Sequence, residues 1–454
     1  MGKNNHLIKS PLVTVYITNH NYGKYLRKSI QSVLNQSLKD LELIIIDDGS
    51  TDNSKKIISS YKKNKKIVSI FQKNRGLIVS NNLALRLAKG RYIMRLDADD
   101  WLDNNAIEIM SNILERNSNV GLIFPDYFEV DKNGKILNLI RRHDFKKVKL
   151  HDQPAHGACT LIRKECLEKI GGYNEKYDRQ DGYYLWVKFI QKYKVLNTNL
   201  PLFFYRKHGS SLSSNEGKIL STRSAIIRSS LAKKDFKKKT IAILPIRGLK
   251  INPRSYVLKK LKGKPLILWI IDSLLKSKNI SKIIATSPDK DILKFLKKIY
   301  KNKILFHKRE EKLGGINIEL DQTLKSASKF AMKKKIKFDY IFQLNYKTPF
   351  LKSEDIDGFI NLIDFFKTDE VLGVRTELER IYKHDGKGLK VINASSNLKL
   401  ERDQVYKGVA GIRVFKKKLI YKLQNTLKTG HYILDQKSSH IINTDLDWKI
   451  ANSI

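Results

Sequence analysis

Three carboxylates, Asp97, Asp99 and Asp100, crowd into the stretch RYIMRLDADDW, residues 91–101. Acids this close repel one another, and each holds its proton more tightly unless a cation sits among them. Mg²⁺ or Mn²⁺ carrying the phosphates of a substrate is the commonest group that relieves such repulsion. The other reading assigns no chemistry: a solvated acidic turn that caps a helix beginning near Asn104. The apolar run before the acids (Tyr92, Ile93, Met94, Leu96) reads as a buried strand. That puts the carboxylates at a strand's carboxyl end, where open α/β sheets bind their ligands.

The elements upstream repeat this arrangement. Leu12 to Thr18 is an apolar strand, and Asn19 to Lys24 is a polar turn containing Gly23. A helix follows from about Tyr25, with Leu26, Ile30, Val33 and Leu34 on one face, and Glu42 to Asp47 is a second buried strand. This βαβ unit ends in Asp47-Asp48-Gly49-Ser50-Thr51-Asp52, where glycine permits a sharp turn and the hydroxyl and carboxylate side chains can cap the next helix. Further strands fit Ile67 to Phe71, Tyr92 to Leu96 and Val120 to Pro125 with helices between them, which predicts a mostly parallel sheet covered on both faces. Polar clusters near Thr18, Asp48 and Asp99 then all fall at the carboxyl ends of strands.

Composition bounds the rest. The 454 residues, 41% hydrophobic and 29% charged, suit two or three globular domains, each large enough for its own core. Two cysteines, Cys159 and Cys166, fit neither a disulfide framework nor a zinc site, so a reducing cytoplasm is expected. No amino-terminal targeting signal is visible, and the longest apolar stretch, Pro265 to Leu275, is short for a bilayer and is interrupted by Asp272. The formal charge of +43 comes from lysine spread along the whole chain. It forms no arginine-rich or aromatic-interleaved patch, so nucleic acid is not expected as a partner. Peripheral attraction to an anionic membrane needs only many lysines on one face and stays open.

The first half of the chain resembles a known family. The stretches VTVYITNHNYGKYLRKSIQSVLNQSLKDLELIIIDDGSTDNS, RYIMRLDADDWL and GGYNEKYDRQDGYYLWVKF, in that order, resemble the family 2 glycosyltransferases. The resemblance implies a GT-A fold, a nucleotide-sugar donor, and transfer to an acceptor hydroxyl with inversion. It puts Thr18 and Asp48 at the donor's base, Asp97 at the ribose and diphosphate, Asp99 on a divalent metal, Mg²⁺ or Mn²⁺, and Asp181 as the catalytic base. His208, in YRKHGSS, falls where relatives put a residue near the metal, and His156, in PAHGAC, falls near the acceptor. The sequence departs from the family in three places. His20 stands for a stacking aromatic, Thr18 for a proline, and Gln180 for a glutamate, so the base assignment rests on Asp181 alone. A reading of Asp181 as a helix cap before Tyr183 competes with it.

From Glu216 to Lys233 the sequence reads as a helix, and KKDFKKK marks a solvated linker. The strand-loop-helix pattern then starts again, with a strand from Thr240 to Ile246, a basic loop, a helix over GKPLILWIIDSLLKS and a strand over KIIATS. IAILPIRG, LKGKPLILWIIDSLLKS and YKGVAGIRVFKKK resemble the cytidylyltransferases that make CMP-activated sialic acids. The motifs are eroded. RGLKINPR has one glycine where the family's phosphate loop is rich in them, and HIINTDLDW puts Ile441 and Asn443 where the family has metal-binding aspartates, with Asp445 and Asp447 nearby. Arg247, Lys250, Arg254 and Arg309 are the candidate nucleotide contacts that survive.

The fold class expected is therefore α/β, with two Rossmann-like nucleotide-binding domains in tandem. The first is a GT-A glycosyltransferase domain over residues 1–215, followed by a helix and basic linker over 216–239 and a cytidylyltransferase-like domain over 240–454. The expected function is an inverting, metal-dependent glycosyltransferase of surface glycan biosynthesis. It would act on a glycan or lipid-linked acceptor in the cytoplasm, with peripheral contact at the inner membrane face left open, and carry a degenerate second domain. Two alternatives stand beside it: a bifunctional enzyme that also makes a CMP-activated nonulosonic acid, and a non-catalytic protein that binds polyanions or membranes.

Overall fold

In a computed structural model the chain divides into two compact units, Met1–Ser230 and Leu231–Ile454. The structure describes residues 10–141, 157–177, 181–207, 222, 226, 229, 239–248, 252, 255–315, 319–377, 379–386, 388–392, 405–421 and 427–454. Most of the expected helix over 216–233 and of the linker after it lies outside these residues.

The first unit runs β1 (Val13–Asn19), α1 (Gly23–Leu34), β2 (Leu41–Asp48), α2 (Ser54–Ser60), β3 (Ile67–Gln72), α3 (Leu77–Leu87), β4 (Tyr92–Asp97), β5 (Trp101–Leu102), α4 (Ala106–Arg116), β6 (Val120–Val130), β7 (Ile136–Ile140), β8 (Leu161–Arg163), α5 (Lys164–Lys169), α6 (Asp181–Lys192) and β9 (Lys194–Arg206). Its sheet has the order β3-β2-β1-β4-β8-β6-β9-β5, with β7 on β6. The strands alternate in what they bury, as period-two side chains must. Val13, Val15 and Ile17 join Leu26, Ile30, Val33 and Met110 on one face, while Tyr16, Ile44 and Ile46 join Ile78, Phe124, Trp186 and Phe189 on the other. Helices thus cover both faces.

The sheet is only half as parallel as the sequence suggests. β1, β2, β3 and β4 run parallel, but β8 enters antiparallel to both β4 and β6, and β5 and β7 are also antiparallel to their partners. An apolar run has the same side-chain pattern in either direction, so local sequence does not report which way a strand runs.

The turn after β2 shows how tightly the strand ends are tied. Gly49 has φ +79°, and a Cβ there would lie 2.7 Å from the Asn74 backbone nitrogen. A side chain in that conformation is strained before any clash. Gly49→Ala is expected to lower the first unit's stability by about 1–3 kcal/mol, read as a lower urea midpoint. An unchanged midpoint would mean that the loop carrying Asn74 yields freely.

The second unit runs β10 (Thr240–Pro245), β11 (Lys260–Leu261), β12 (Lys264–Pro265), α7 (Leu266–Lys276), β13 (Ile280–Ser287), α8 (Lys290–Tyr300), β14 (Leu305–Lys308), α9 (Leu320–Lys333), β15 (Tyr340–Gln343), α10 (Ser353–Phe365), β16 (Glu370–Glu377), β17 (Tyr382–His384), β18 (Leu389–Val391), β19 (Val405–Lys416), β20 (Thr429–Ile433) and α11 (Asp445–Ser453). The main sheet has the order β14-β13-β10-β15-β19-β16-β20. β14, β13, β10 and β15 are parallel, and β19 lies antiparallel between β15 and β16. Ile241, Ile243, Ile284 and Ile341 pack under Leu324, Ala327 and Ala331 of α9.

Candidate functional site

Register brings the first unit's polar clusters together. Thr18 pairs with Asp97 across β1 and β4, and Asn19 pairs with Asp47 across β1 and β2. Three parallel strands therefore end at one level, and their loops share one rim. Side chains lace that rim. Asn19 Nδ2 donates to Asp47 Oδ1 at 3.0 Å and to Ser50 Oγ at 3.0 Å, while Asn21, with φ 61°, accepts from the Thr51 N–H at 2.7 Å. Gly23 N–H donates to Asp52 Oδ2 at 2.8 Å, and a Cβ on Gly23 would lie 2.0 Å from Asn53 Oδ1.

Asp48 is anchored at the rim by three donors. Its Oδ1 accepts from the Arg75 N–H at 2.9 Å and from Gln72 Nε2 at 2.7 Å, and its Oδ2 accepts from the Gly76 N–H at 2.8 Å. A carboxylate holding three donors fixes the loop after β3 to the end of β2, and its side chain is 5% exposed. His20 is exposed, and its Nδ1 lies 2.9 Å from the Asp48 carbonyl.

The acidic cluster is held by two arginines that the sequence reading passed over. Arg95, two residues before Asp97 and on the same face of β4, pairs with it at 2.9 Å (Nε to Oδ1) and 3.3 Å (Nη2 to Oδ2). Arg206, at the end of β9, donates its backbone N–H to Asp100 Oδ1 at 2.8 Å, Nε to the Asp99 carbonyl at 2.9 Å and Nη1 to the Lys132 carbonyl at 2.8 Å. Its guanidinium stands 4.4 Å from the Tyr25 ring centre and 4.8 Å from that of Trp101. Asp100 is 1% exposed, and burial, with Asp99 and Asp97 beside it, pushes its carboxyl well above the usual range. Its Oδ2 meets no hydrogen-bond partner among the described residues. Three carboxylates therefore share one turn at the rim, Asp97 paired with Arg95 and Asp100 favouring its neutral form. The i, i+2 spacing of Arg95 and Asp97 was a readable signal, whereas Arg206 lay too far along the chain to be one.

Asp181 is the first residue of α6, so the helix-start reading of its position and the catalytic reading coincide in the backbone. A Cβ at Gly182 would lie 3.2 Å from the Gly157 Cα, and one at Gly157 would lie 3.0 Å from Arg95 Nη2, the arginine that holds Asp97. The start of α6 is therefore brought to the acidic rim. His156, Gln180 and His208 lie outside the described residues.

In the second unit, the carboxyl ends of β10 and β15 border a cleft of about 260 Å³ lined by Arg247, Arg309, Gln343, Asn345, Tyr346 and Lys347 among others. Arg309 is 3% exposed and hangs from two strand ends, donating Nη1 to the Thr286 carbonyl at 3.2 Å and Nη2 to the Ile246 carbonyl at 3.2 Å. Burial, then Arg247, push its guanidinium down to about 10. Arg247 Nη2 donates to the Gly315 carbonyl at 2.8 Å. Lys250 and Arg254 lie outside the described residues, and the cation that the sequence reading missed is Lys347.

Two nucleotide-binding-type α/β domains in tandem are what the architecture defines. Residues 14–171 match the family model described as glycosyl transferase family 2, and residues 256–449 match that described as cytidylyltransferase. Among curated proteins, the chain is similar to the chondroitin synthase of Pasteurella multocida (strain Pm70), 30% identical over 213 residues that cover 46% of this chain and 22% of that protein. It is also similar to an Escherichia coli protein, UDP-Glc:alpha-D-GlcNAc-diphosphoundecaprenol beta-1,3-glucosyltransferase WfaP, 29% identical over 222 residues covering 48% of this chain and 86% of that one. An uncharacterized glycosyltransferase of Methanocaldococcus jannaschii is 33% identical over 189 residues, covering 40% of this chain and 65% of that protein. The chain spans only about a fifth of the first of these relatives. The expected pairing of family resemblances, a family 2 glycosyltransferase followed by a cytidylyltransferase, is the pairing found.

Proposed function

We propose that the first unit transfers a sugar from a nucleotide-sugar donor to an acceptor hydroxyl, inverting the anomeric centre, in the assembly of a surface glycan. The observation that carries this reading is the convergence of Thr18, Asp97, the Asp99–Asp100 turn and the start of α6 on one rim of a sheet whose sequence matches the family 2 model. In it, Thr18 and the rim loops receive the donor, Asp97 faces the ribose and diphosphate, and Asp181 takes the proton from the acceptor hydroxyl. Asp48 supports the base pocket through the loop it fixes.

The rim suits a divalent cation, because Asp97, Asp99 and Asp100 share one turn, and a dication among them would relieve the mutual repulsion that raises Asp100. Among the described residues no group of three or more acidic, histidine or cysteine side chains is arranged to hold a metal by itself. Mg²⁺ or Mn²⁺ binds through one or two carboxylates together with substrate phosphates. Asp99 is the residue that would hold it, with His208 a further candidate, and the ion would supply charge stabilisation on the departing nucleoside diphosphate. The relatives include a protein named for a diphosphoundecaprenol-linked acceptor, which favours a glycan or lipid-linked acceptor here as well. No helix among the described residues is long and apolar enough to cross a membrane. A charge of +43 favours peripheral contact with an anionic membrane, and we assign the protein to the cytoplasmic side.

A thermal-shift panel of UDP, GDP, dTDP, CDP, CMP and CTP tests the reading, each with and without Mn²⁺, on the full chain and on Asp99→Ala. The expected result is a Mn²⁺-dependent shift with one diphosphate, equivalent to about 2.7 kcal/mol at a hundredfold excess over Kd, and lost in Asp99→Ala. Absence of any metal-dependent diphosphate shift would reject the assignment of the rim.

The second unit is read as a degenerate cytidylyltransferase. Asp447 Oδ2 accepts from the Asn443 and Thr444 N–H groups, both at 2.9 Å, in the capping box that starts α11, and Asp445 Oδ1 accepts from Tyr256 OH at 3.0 Å. Asp447 is tied into the helix start, Asp445 is exposed, and neither lines the cleft. Pyrophosphate release from CTP and a nonulosonic acid would overturn this and restore the bifunctional alternative.

A further inference from the structure

The cleft of the second unit has an unusual charge balance. Arg247, Arg309 and Lys347 line it, and no aspartate or glutamate does among the described lining residues. The cations feel one another: burial, then Arg247, lower both Arg309 and Lys347 from their ordinary values. Their hydrogen bonds go to neutral oxygens, those of Thr286, Ile246 and Gly315 carbonyls and of the Asn443 side chain. Arg309 is nearly fully buried, yet its Nε finds no partner among the described residues. A buried donor left so is unfavourable, and an anion in the cleft could satisfy it.

The same residues do not suit the divalent metal that a cytidylyltransferase resemblance implies. At the position of one expected metal-binding aspartate stands Asn443, and its Oδ1 accepts from Lys347 Nζ at 3.0 Å. An ammonium therefore sits beside the place a metal would take, while Asp445 and Asp447 are held elsewhere. A dication brought next to three fixed cations, with no carboxylate lining the cleft, would meet repulsion.

We propose that this cleft binds a phosphate-bearing ligand through Arg247, Arg309 and Lys347 without a metal ion, the Lys347 ammonium standing in the metal's place. Charge selects phosphate over a lone carboxylate. One carboxylate balances one of three cations, whereas a phosphomonoester carries about −1.5 to −2 at pH 7 and a diphosphate more. The paired N–H groups of arginine match phosphate oxygens, and lysine adds a point charge. Gln343, Asn345 and Tyr346 supply neutral polar groups on the same wall.

Calorimetric titration of the full chain carrying Asp99→Ala with inorganic pyrophosphate, in EDTA and then in Mg²⁺, tests this without engaging a metal-dependent donor site in the first unit. Binding is expected in EDTA and no tighter in Mg²⁺, with at least a tenfold loss, about 1.4 kcal/mol, in each of Lys347→Ala and Arg247→Gln. Both side chains are only partly buried, so both variants should fold, and an unchanged melting temperature checks that they do. CTP binding much tighter than pyrophosphate in EDTA would keep the proposal and name a nucleotide as the ligand, and equal binding would keep it and name a free phosphate compound. Binding that requires Mg²⁺, binding of a sialic acid's carboxylate in preference to pyrophosphate, or binding unmoved by both substitutions would overturn it.

Discussion

Replacing Asp181 by Asn is expected to slow sugar transfer by about 10²–10⁴-fold while nucleotide binding in the thermal-shift assay stays as in the parent protein. The amide keeps the size of the carboxylate and its capacity to start α6, so the fold has no reason to change. What it lacks is the ability to take a proton. The loss corresponds to about 2.7–5.5 kcal/mol in the barrier, and it should fall on kcat more than on KM, because the interaction is made only as the acceptor hydroxyl reacts. The placement behind the expectation is the chain of close approaches from Gly182 to Gly157 to Arg95, which brings the start of α6 beside the arginine paired with Asp97. A rate within tenfold of the parent would return Asp181 to a helix-capping role and leave the unit without an assigned base.

Arg206→Ala is expected to be the most damaging single change to the first unit's stability. The side chain is 4% exposed, and its removal leaves the Asp99 and Lys132 carbonyls without their donor. Each of these part-buried acceptors loses a charge-assisted hydrogen bond, about 1–2 kcal/mol, and the packing of the guanidinium on Tyr25 and Trp101 goes with it. A total of about 2–5 kcal/mol is a large part of the roughly 5–15 kcal/mol that holds a domain together. At about 2–4 °C per kcal/mol for a unit of this size, the first unit's melting transition should drop by roughly 4–20 °C. Arg206→Lys keeps the charge but cannot reach both carbonyls with a planar fork, so it should recover only part of the loss. Transfer activity should fall in both variants, since the Asp99 backbone is no longer anchored. A melting transition in Arg206→Ala unchanged from the parent would show that this network is dispensable.

The two arginines and the lysine share a lesson about where function hides. Asp97 and Asp99 stood out in the sequence as acids crowded at a strand end, whereas Asp181 was singled out by the family resemblance alone, since an acid at a helix start is common. Arg309 was named in the sequence as one of four candidate cations, but Arg206 and Lys347 were not, in a chain with 88 lysines and arginines where one more cation carries little signal. Their burial and their partners single them out, and those are properties of the folded chain.

Local periodicity was enough to determine the alternation of strands and helices in both halves, the strand starts to within a residue or two, and the fall of the polar clusters at carboxyl ends. Those features depend on side-chain spacing of two or 3.6 residues, which is written along the chain. Tertiary structure alone decided the rest. It turned the expected mostly parallel sheet into a mixed one by inserting β8 between β4 and β6, because strand direction leaves no mark on an apolar run. It committed Asp48 to the loop after β3, set Arg206 against Asp100 across 106 positions, and put Lys347 against Asn443 across 96. Such contacts are chosen by which elements pack together, and the free energy that selects them comes from buried area and satisfied polar groups across the whole domain.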